Sequence, residues 1–440
     1  MPHPRIILSP GPRAPGGFLG SLLASAGDAA HAALSRPFLV LLWLALWSNL
    51  NTGPWNLREE TLETDPTLYV RALVPWVVLP FVVVLFVSRL GQVRRELRSG
   101  ACFSLLVYGL LVTFFSIRSP EPMISYYYDV AFLCTVLTGL LWTGAGRDDR
   151  PLTAELLPLN WAITGAFACI IVYVGRGTLF SGADSAYGII NELEGQSRAS
   201  GVARFCAVPA LIGLCRFWRG RGFWRVLWLP LFLFFGYLVY LLQSRGAIFG
   251  VAAAFVFVVL LNRGFTRGAV LLGLGAAVYC LFDPRFELAE DVWRHLQRGQ
   301  SSEEFASMTG RTRAWENAWK TMEESGMLLG YGNWADRALI GEHVHNTFLQ
   351  AWMFGGLLGL LFFVWAWVRV WLDFRRVFRR LRELADRERD LFLEAGAILA
   401  FFTVRSIPET TNAGFSVDLL VLVPIMVYVE TLAGRLRAKP

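Results

Sequence analysis

Residues 341–359 read GEHVHNTFLQAWMFGGLLG. Two histidines, His343 and His345, stand in a polar segment that passes without a break into an apolar run continuing to Trp371. A run of that length is long enough to cross a hydrocarbon core of ~30 Å. The histidines therefore mark the point where a polar loop enters a membrane helix. The chain holds five histidines, so two of them at one helix mouth is a concentration that asks for a reason.

Working outward, the same pattern of long apolar runs repeats along the 440 residues, 55% of which are hydrophobic, with a mean hydropathy of +0.46. Runs at roughly 36–53, 68–88, 101–117, 124–145, 158–175, 201–217, 223–243, 246–261, 268–282, 345–371, 391–404 and 413–434 predict an all-α polytopic membrane protein of about twelve transmembrane helices. Residues 1–35, rich in Pro, Gly and Ala, read as a flexible cytoplasmic tail with no signal-peptide pattern. The remaining divisions are 36–282 (helices one to nine), 283–344 (a long periplasmic loop domain), 345–434 (helices ten to twelve) and 435–440 (a cytoplasmic tail). Within the loop, Asp291–Gln297 and Arg311–Glu324 have helical spacing, with Trp315, Ala318, Trp319 and Met322 on one stripe.

The net charge of +7 comes almost wholly from arginine, since Lys320 and Lys439 are the two lysines. Placing the N-terminus in the cytoplasm puts the arginine-rich loops after residues 88, 145, 216, 261 and 368 on that side, as the positive-inside rule requires. In such a chain basic charge reflects topology, not nucleic-acid binding. The histidine mouth then faces the side opposite the cytoplasm. The six cysteines lie in or beside apolar runs with no CxxC pair, which reads as packing and leaves no metal or disulfide framework.

Arginines at the outer helix ends are the second candidate group: Arg198 and Arg204 in SRASGVARF, Arg245 in QSRGA, and Arg311 and Arg313 in TGRTRAW. A guanidinium at a membrane edge is costly unless paired or facing water, and its planar fork suits phosphate oxygens. Gathered on one face, they would hold a lipid-linked phosphate or diphosphate. Taken singly, each also fits a snorkelling arginine at a helix end, except Arg245, whose near-loopless turn leaves it little freedom to reach solvent. A neutral imidazole at His345 or His343 beside them is a candidate general base for a sugar hydroxyl. Gly330 and Gly332 signal a turn, and Gly355, Gly356 and Gly359 form a small-residue face on the tenth helix.

These residues together resemble the bacterial O-antigen ligase and O-antigen polymerase superfamily. The family's His-Asn, nine residues, Gly-x-x-Gly is matched by His345-Asn346 and Gly356-x-x-Gly359. Its Gly-Arg…Trp segment and Gly-x-Gly turn are matched by Gly310-Arg311…Trp315 and Gly330-Tyr331-Gly332. Ser244-Arg245-Gly246 and Arg198–Gly201 complete the likeness, which spans roughly 198–360. His343, giving His-x-His-Asn, departs from the pattern.

The resemblance implies an inverting, metal-independent glycosyltransferase without a cofactor, in a bacterial inner membrane with its site facing the periplasm. It would move a glycan from undecaprenyl diphosphate to a sugar hydroxyl on lipid A–core, as a ligase, or on a second lipid-linked glycan, as a polymerase. A chain-length regulator is an implied partner, alongside the bilayer itself. Two alternatives stay open at this point: a metal-dependent membrane glycosyltransferase using Glu59, Glu60, Glu63 and Asp65, and a non-enzymatic exporter of polysaccharide or lipid-linked glycan.

Overall fold

A computed structural model of the chain describes residues 18–50, 66–91, 100–143, 152–174, 199–220, 223–261, 287–297, 311–324 and 327–438. The described residues form helices and connecting turns, with no strand among them. The helices are α1 (Phe18–Ser35), α2 (Pro37–Ser48), α3 (Pro66–Ser88), α4 (Ala101–Phe115), α5 (Pro122–Leu141), α6 (Thr153–Val174), α7 (Ala199–Arg219) and α8 (Trp228–Leu241). They continue as α9 (Arg245–Leu261), α10 (Glu287–Gln297), α11 (Arg311–Glu324), α12 (Ala335–Ile340), α13 (Thr347–Arg379), α14 (Asp386–Arg405) and α15 (Val417–Ala438).

Among the described residues, seven helices are long and apolar enough to cross a membrane: α3, α4, α5, α6, α7, α13 and α15. The expected count of about twelve is not reached by that measure, for three reasons. Helices α2, α8 and α9 are apolar but shorter, and at 1.5 Å per residue the 12 residues of α2 rise only about 18 Å. Helix α14 has the length but carries charge at both ends, from Asp386 to Glu394 and again at Arg405. The run at 268–282 lies outside the described residues. A second difference is α1: part of what reads as a flexible tail is a helix packed on α6. Its Leu- and Ala-rich sequence favours helix, and Asp28 ties it to Arg387 at 3.0 Å.

Helix α15 is the hub. It packs against α4, α5, α6, α13 and α14, and 89% of its apolar window is buried, against 17% for α3 at the rim. A helix apolar on every side belongs in the centre, where each face meets another helix. The two ends of the bundle differ in chemistry. At the end where α13 finishes, arginines are neutralised in pairs such as Arg216–Glu394 at 2.7 Å and Arg437–Asp373 at 2.6 Å. The end where α13 begins carries the histidines.

One backbone crossing anchors the histidine end. Helix α13 breaks at Gly356, whose φ of 64° and ψ of −171° fit glycine alone. The break frees the carbonyls of Met353 and Phe354, which accept the N–H groups of Tyr331 and Gly332 at 2.9 and 3.0 Å. Gly330 lies so close beneath that a Cβ there would stand 2.2 Å from the Phe354 oxygen. The two glycine motifs are therefore halves of one contact. Gly355 and Gly359 do face another helix, against Tyr108 of α4, whereas Gly356 is the kink and not part of that face.

Candidate functional site

The site is assembled by the first turn of α13 and the turn at 406–412. Asn346 caps α13, its Oδ1 accepting from Phe348 N and Leu349 N at 3.0 Å each, while its Nδ2 donates to the Ile407 carbonyl. Thr347 N donates to Ser406 O at 3.1 Å, and Thr347 Oγ1 donates to Glu409 O at 2.9 Å. These bonds bring Glu409 against the histidine segment, although 64 residues separate it from His345.

Glu409 is buried and joins two of the candidate residues. His345 Nδ1 lies 3.1 Å from its Oε2, and Arg311 Nη2 donates to its Oε1 at 2.6 Å. The other Nη of Arg311 donates to Pro408 O at 2.6 Å. Burial raises the Glu409 pKa, but the His345 hydrogen bond and the Arg311 and Arg405 guanidiniums outweigh it and hold the carboxyl well below its ordinary range. It is thus an anion at neutral pH, and it fixes the Nδ1–H tautomer of His345. Nε2 of His345 then has a free lone pair, and it meets no hydrogen-bond partner among the described residues. Burial lowers the His345 pKa, only partly opposed by Glu409, so the ring is neutral and its lone pair available at pH 7. His345 also sits at φ 50°, a left-handed backbone uncommon for a side chain of this size.

His343 has a different environment. Its Nδ1 lies 2.5 Å from Asp336 Oδ2, and its Nε2 lies 2.8 Å from Thr410 Oγ1. Both of its ring nitrogens have hydrogen-bond partners, unlike those of His345. The two imidazole centroids are 4.9 Å apart. Trp315 holds the residue between them, Nε1 donating to Val344 O at 2.8 Å.

The candidate arginines are distributed unevenly. Arg311 is at the site but committed to Glu409 and Pro408. Arg245 opens α9, next to Gly246, where a Cβ would stand 2.9 Å from Glu409 Cγ. Arg204 pairs with buried Asp418 at 3.0 Å, and the fully buried Arg405 shares the same carboxylate at 2.7 Å. Arg405 Nη1 also donates to Thr410 O at 3.3 Å. Arg313 is exposed on α11, and Arg198 lies outside the described residues, as do Gly310 and Glu59, Glu60, Glu63 and Asp65. Around Glu409 and Asp418, the three guanidiniums of Arg311, Arg204 and Arg405 meet two carboxylates. No group of three or more His, Cys, Asp or Glu side chains is placed to hold a metal among the described residues.

Sequence reasoning missed Glu409, Asp336, Thr410 and Asp418. The signal for Glu409 was a lone acid in the short stretch 406–412, SIPETTN, between two apolar runs. It missed His295 as well, which stacks on Tyr240 at 4.2 Å and lies 3.0 Å from Gln243. That contact ties α10 to the turn before Arg245.

Fold and site together define a multi-pass helical membrane protein with two histidines and paired arginines and carboxylates at one end of its bundle. A family model described as O-antigen ligase matches residues 229–364, from α8 past the Gly356 kink, and so supports the O-antigen ligase and polymerase superfamily for this chain. The matched segment holds Arg245, Arg311, His343 and His345, while Glu409 and Thr410 lie beyond it. That family implies a membrane enzyme of glycosyltransferase type acting on lipid-linked glycans. No curated protein matches the chain.

Proposed function

We propose that the protein transfers a glycan from undecaprenyl diphosphate to a sugar hydroxyl, as an O-antigen ligase or polymerase, with inversion and without a metal, at the periplasmic face. The observation that carries this reading is the Glu409–His345 pair, with Nδ1 held at 3.1 Å and Nε2 open.

His345 Nε2 takes the proton of the acceptor hydroxyl as its oxygen attacks the anomeric carbon. The bond from that carbon to the diphosphate oxygen breaks, and its electron pair leaves with the diphosphate. Glu409 stabilises the imidazolium that forms, as an orienting carboxylate does for a histidine base. Arg245, at the N-terminus of α9, meets the leaving diphosphate, where the helix dipole adds to its charge. Arg311 holds Glu409 in place; Arg204, Arg198 and Arg313 are the further proposed contacts for the diphosphate.

The test is purified protein in nanodiscs with a lipid-diphosphate-linked glycan and two acceptors, lipid A–core and a second lipid-linked unit, with and without EDTA. Transfer to lipid A–core defines a ligase, and a ladder of longer lipid-linked glycans defines a polymerase. Loss of transfer in EDTA would overturn the metal-free mechanism. No transfer to either acceptor would overturn the reading as a whole.

A further inference from the structure

Asp336, His343 and Thr410 form a carboxylate–imidazole–hydroxyl chain that the proposed transfer does not use. Its polarity can be worked out donor by donor. Asp336 is buried at 1% exposure. Its Oδ2 faces His343 Nδ1 at 2.5 Å, Gln350 Nε2 at 3.1 Å and Val344 N at 3.4 Å, and its Oδ1 accepts from Arg337 N at 3.1 Å. The Gln350 amide and both backbone N–H groups are donors, so His343 Nδ1 is the one contact that could take a carboxyl proton. Burial raises the Asp336 pKa, but the His343 contact, Arg337 and the Gln350 hydrogen bond outweigh it and hold the carboxyl below its ordinary value. Asp336 is therefore a carboxylate, and His343 Nδ1 carries a proton toward it. With that single proton on Nδ1, Nε2 is an acceptor, and the group facing it at 2.8 Å is the Thr410 hydroxyl. In this tautomer the hydroxyl donates inward. What remains on Thr410 Oγ1 is lone-pair capacity alone.

Thr410 is half-buried, follows Glu409 in the chain, and touches a ring 4.9 Å from that of His345. We propose that Thr410 is a specificity-determining contact for the acceptor glycan: its Oγ1 meets the glycan only as a hydrogen-bond acceptor and selects a hydroxyl or amide N–H beside the reacting hydroxyl. The proposal rests on the glycan-transfer reading above. A site whose polar group can accept but not donate rejects an acceptor lacking the matching donor, because the oxygen is then left unpaired. Asp336 and His343 are positioning residues in this arrangement, since they act through Thr410.

Two measurements test it. The first is ¹⁵N NMR of histidine-labelled protein at pH 7.5, with His343 assigned by its loss in His343→Gln. The expected spectrum has a neutral His343 with its proton on Nδ1, and Thr410→Val shifts the Nε2 signal. A doubly protonated ring, or a proton on Nε2, would overturn the proposal whether or not the protein transfers glycans. The second is kinetics with saturating lipid-diphosphate-linked glycan and varied lipid A–core or second lipid-linked unit. Thr410→Val raises the acceptor KM about tenfold and leaves the donor KM within about twofold, and Thr410→Ser restores the wild-type value. An unchanged acceptor KM, or equal effects on both substrates, sinks the Thr410 role alone. A wild-type protein inactive toward both acceptors sinks the transfer reading, and the acceptor role with it.

Discussion

Two imidazole–carboxylate pairs lie side by side in this protein, and they differ in one feature. Glu409–His345 ends in an open nitrogen, whereas Asp336–His343 ends on Thr410. The residue types are nearly the same, and the spacing of the histidines gives no hint of which is which. The difference teaches that a histidine's role is set by what occupies its second nitrogen, and that the occupant comes from elsewhere in the chain. The turn at 406–412 supplies both Glu409, which orients one ring, and Thr410, which closes off the other.

The sharpest way to break this comparison is His345→Asn. Asparagine tolerates the left-handed backbone at that position, so the fold is kept while the base is lost. Transfer should fall by about 10³-fold, measured as kcat with both substrates saturating. A variant that keeps wild-type kcat would move the base elsewhere.

Next in size is Gly356→Ala, which strikes the support shared by both pairs. A Cβ at φ 64° would stand 2.2 Å from Leu328 O, at a cost of about 3 kcal/mol. The expected outcome is a lowered denaturation midpoint together with weakened transfer. An unchanged midpoint would show that the crossing at 330–332 does not hold the site.

Glu409→Gln sharpens the contrast through pH. In the wild type, the pKa of His345 lies below the ordinary histidine value of about 6.5. Transfer should therefore be level above that pH and fall on acidification below it, as the base is protonated. Glu409 raises the His345 pKa, so removing its charge lowers that pKa further. The acid limb should move to lower pH while the plateau drops about 10- to 100-fold. A limb that stays in place or moves upward would separate Glu409 from the base.

The smallest effect belongs to the closed pair. His343→Gln should cost about tenfold, seen mainly in acceptor KM. If it instead matched His345→Asn in kcat, the two pairs would be equivalent and the comparison would fail.

Much of the frame was legible from apolar run length, because membrane crossing demands a minimum of consecutive apolar residues. Helices α10 and α11 were legible from their spacing, whereas α13 runs on to Arg379, past the apolar run that ends at Trp371. Helix α2 was over-read, since apolar character alone does not say where a helix stops. Helix α1 was under-read, because its order comes from packing on α6 and from the Asp28–Arg387 pair, which are distant in sequence.

For the site, the sequence alone determined that His343, His345 and a set of arginines stand at the mouth of a membrane helix, and that glycines recur at fixed distances from them. Only the tertiary structure decided that Gly330 and Gly356 are two sides of one backbone crossing, that Arg311 holds a carboxylate, and that His345 and not His343 keeps an open nitrogen. The physical reason is range. Hydropathy and helical periodicity are properties of neighbouring residues, and local sequence carries them in full. Tautomer, ionisation and access depend on groups brought within about 3 Å by the packing of α13 against the 406–412 turn, and that proximity is written nowhere in the local sequence.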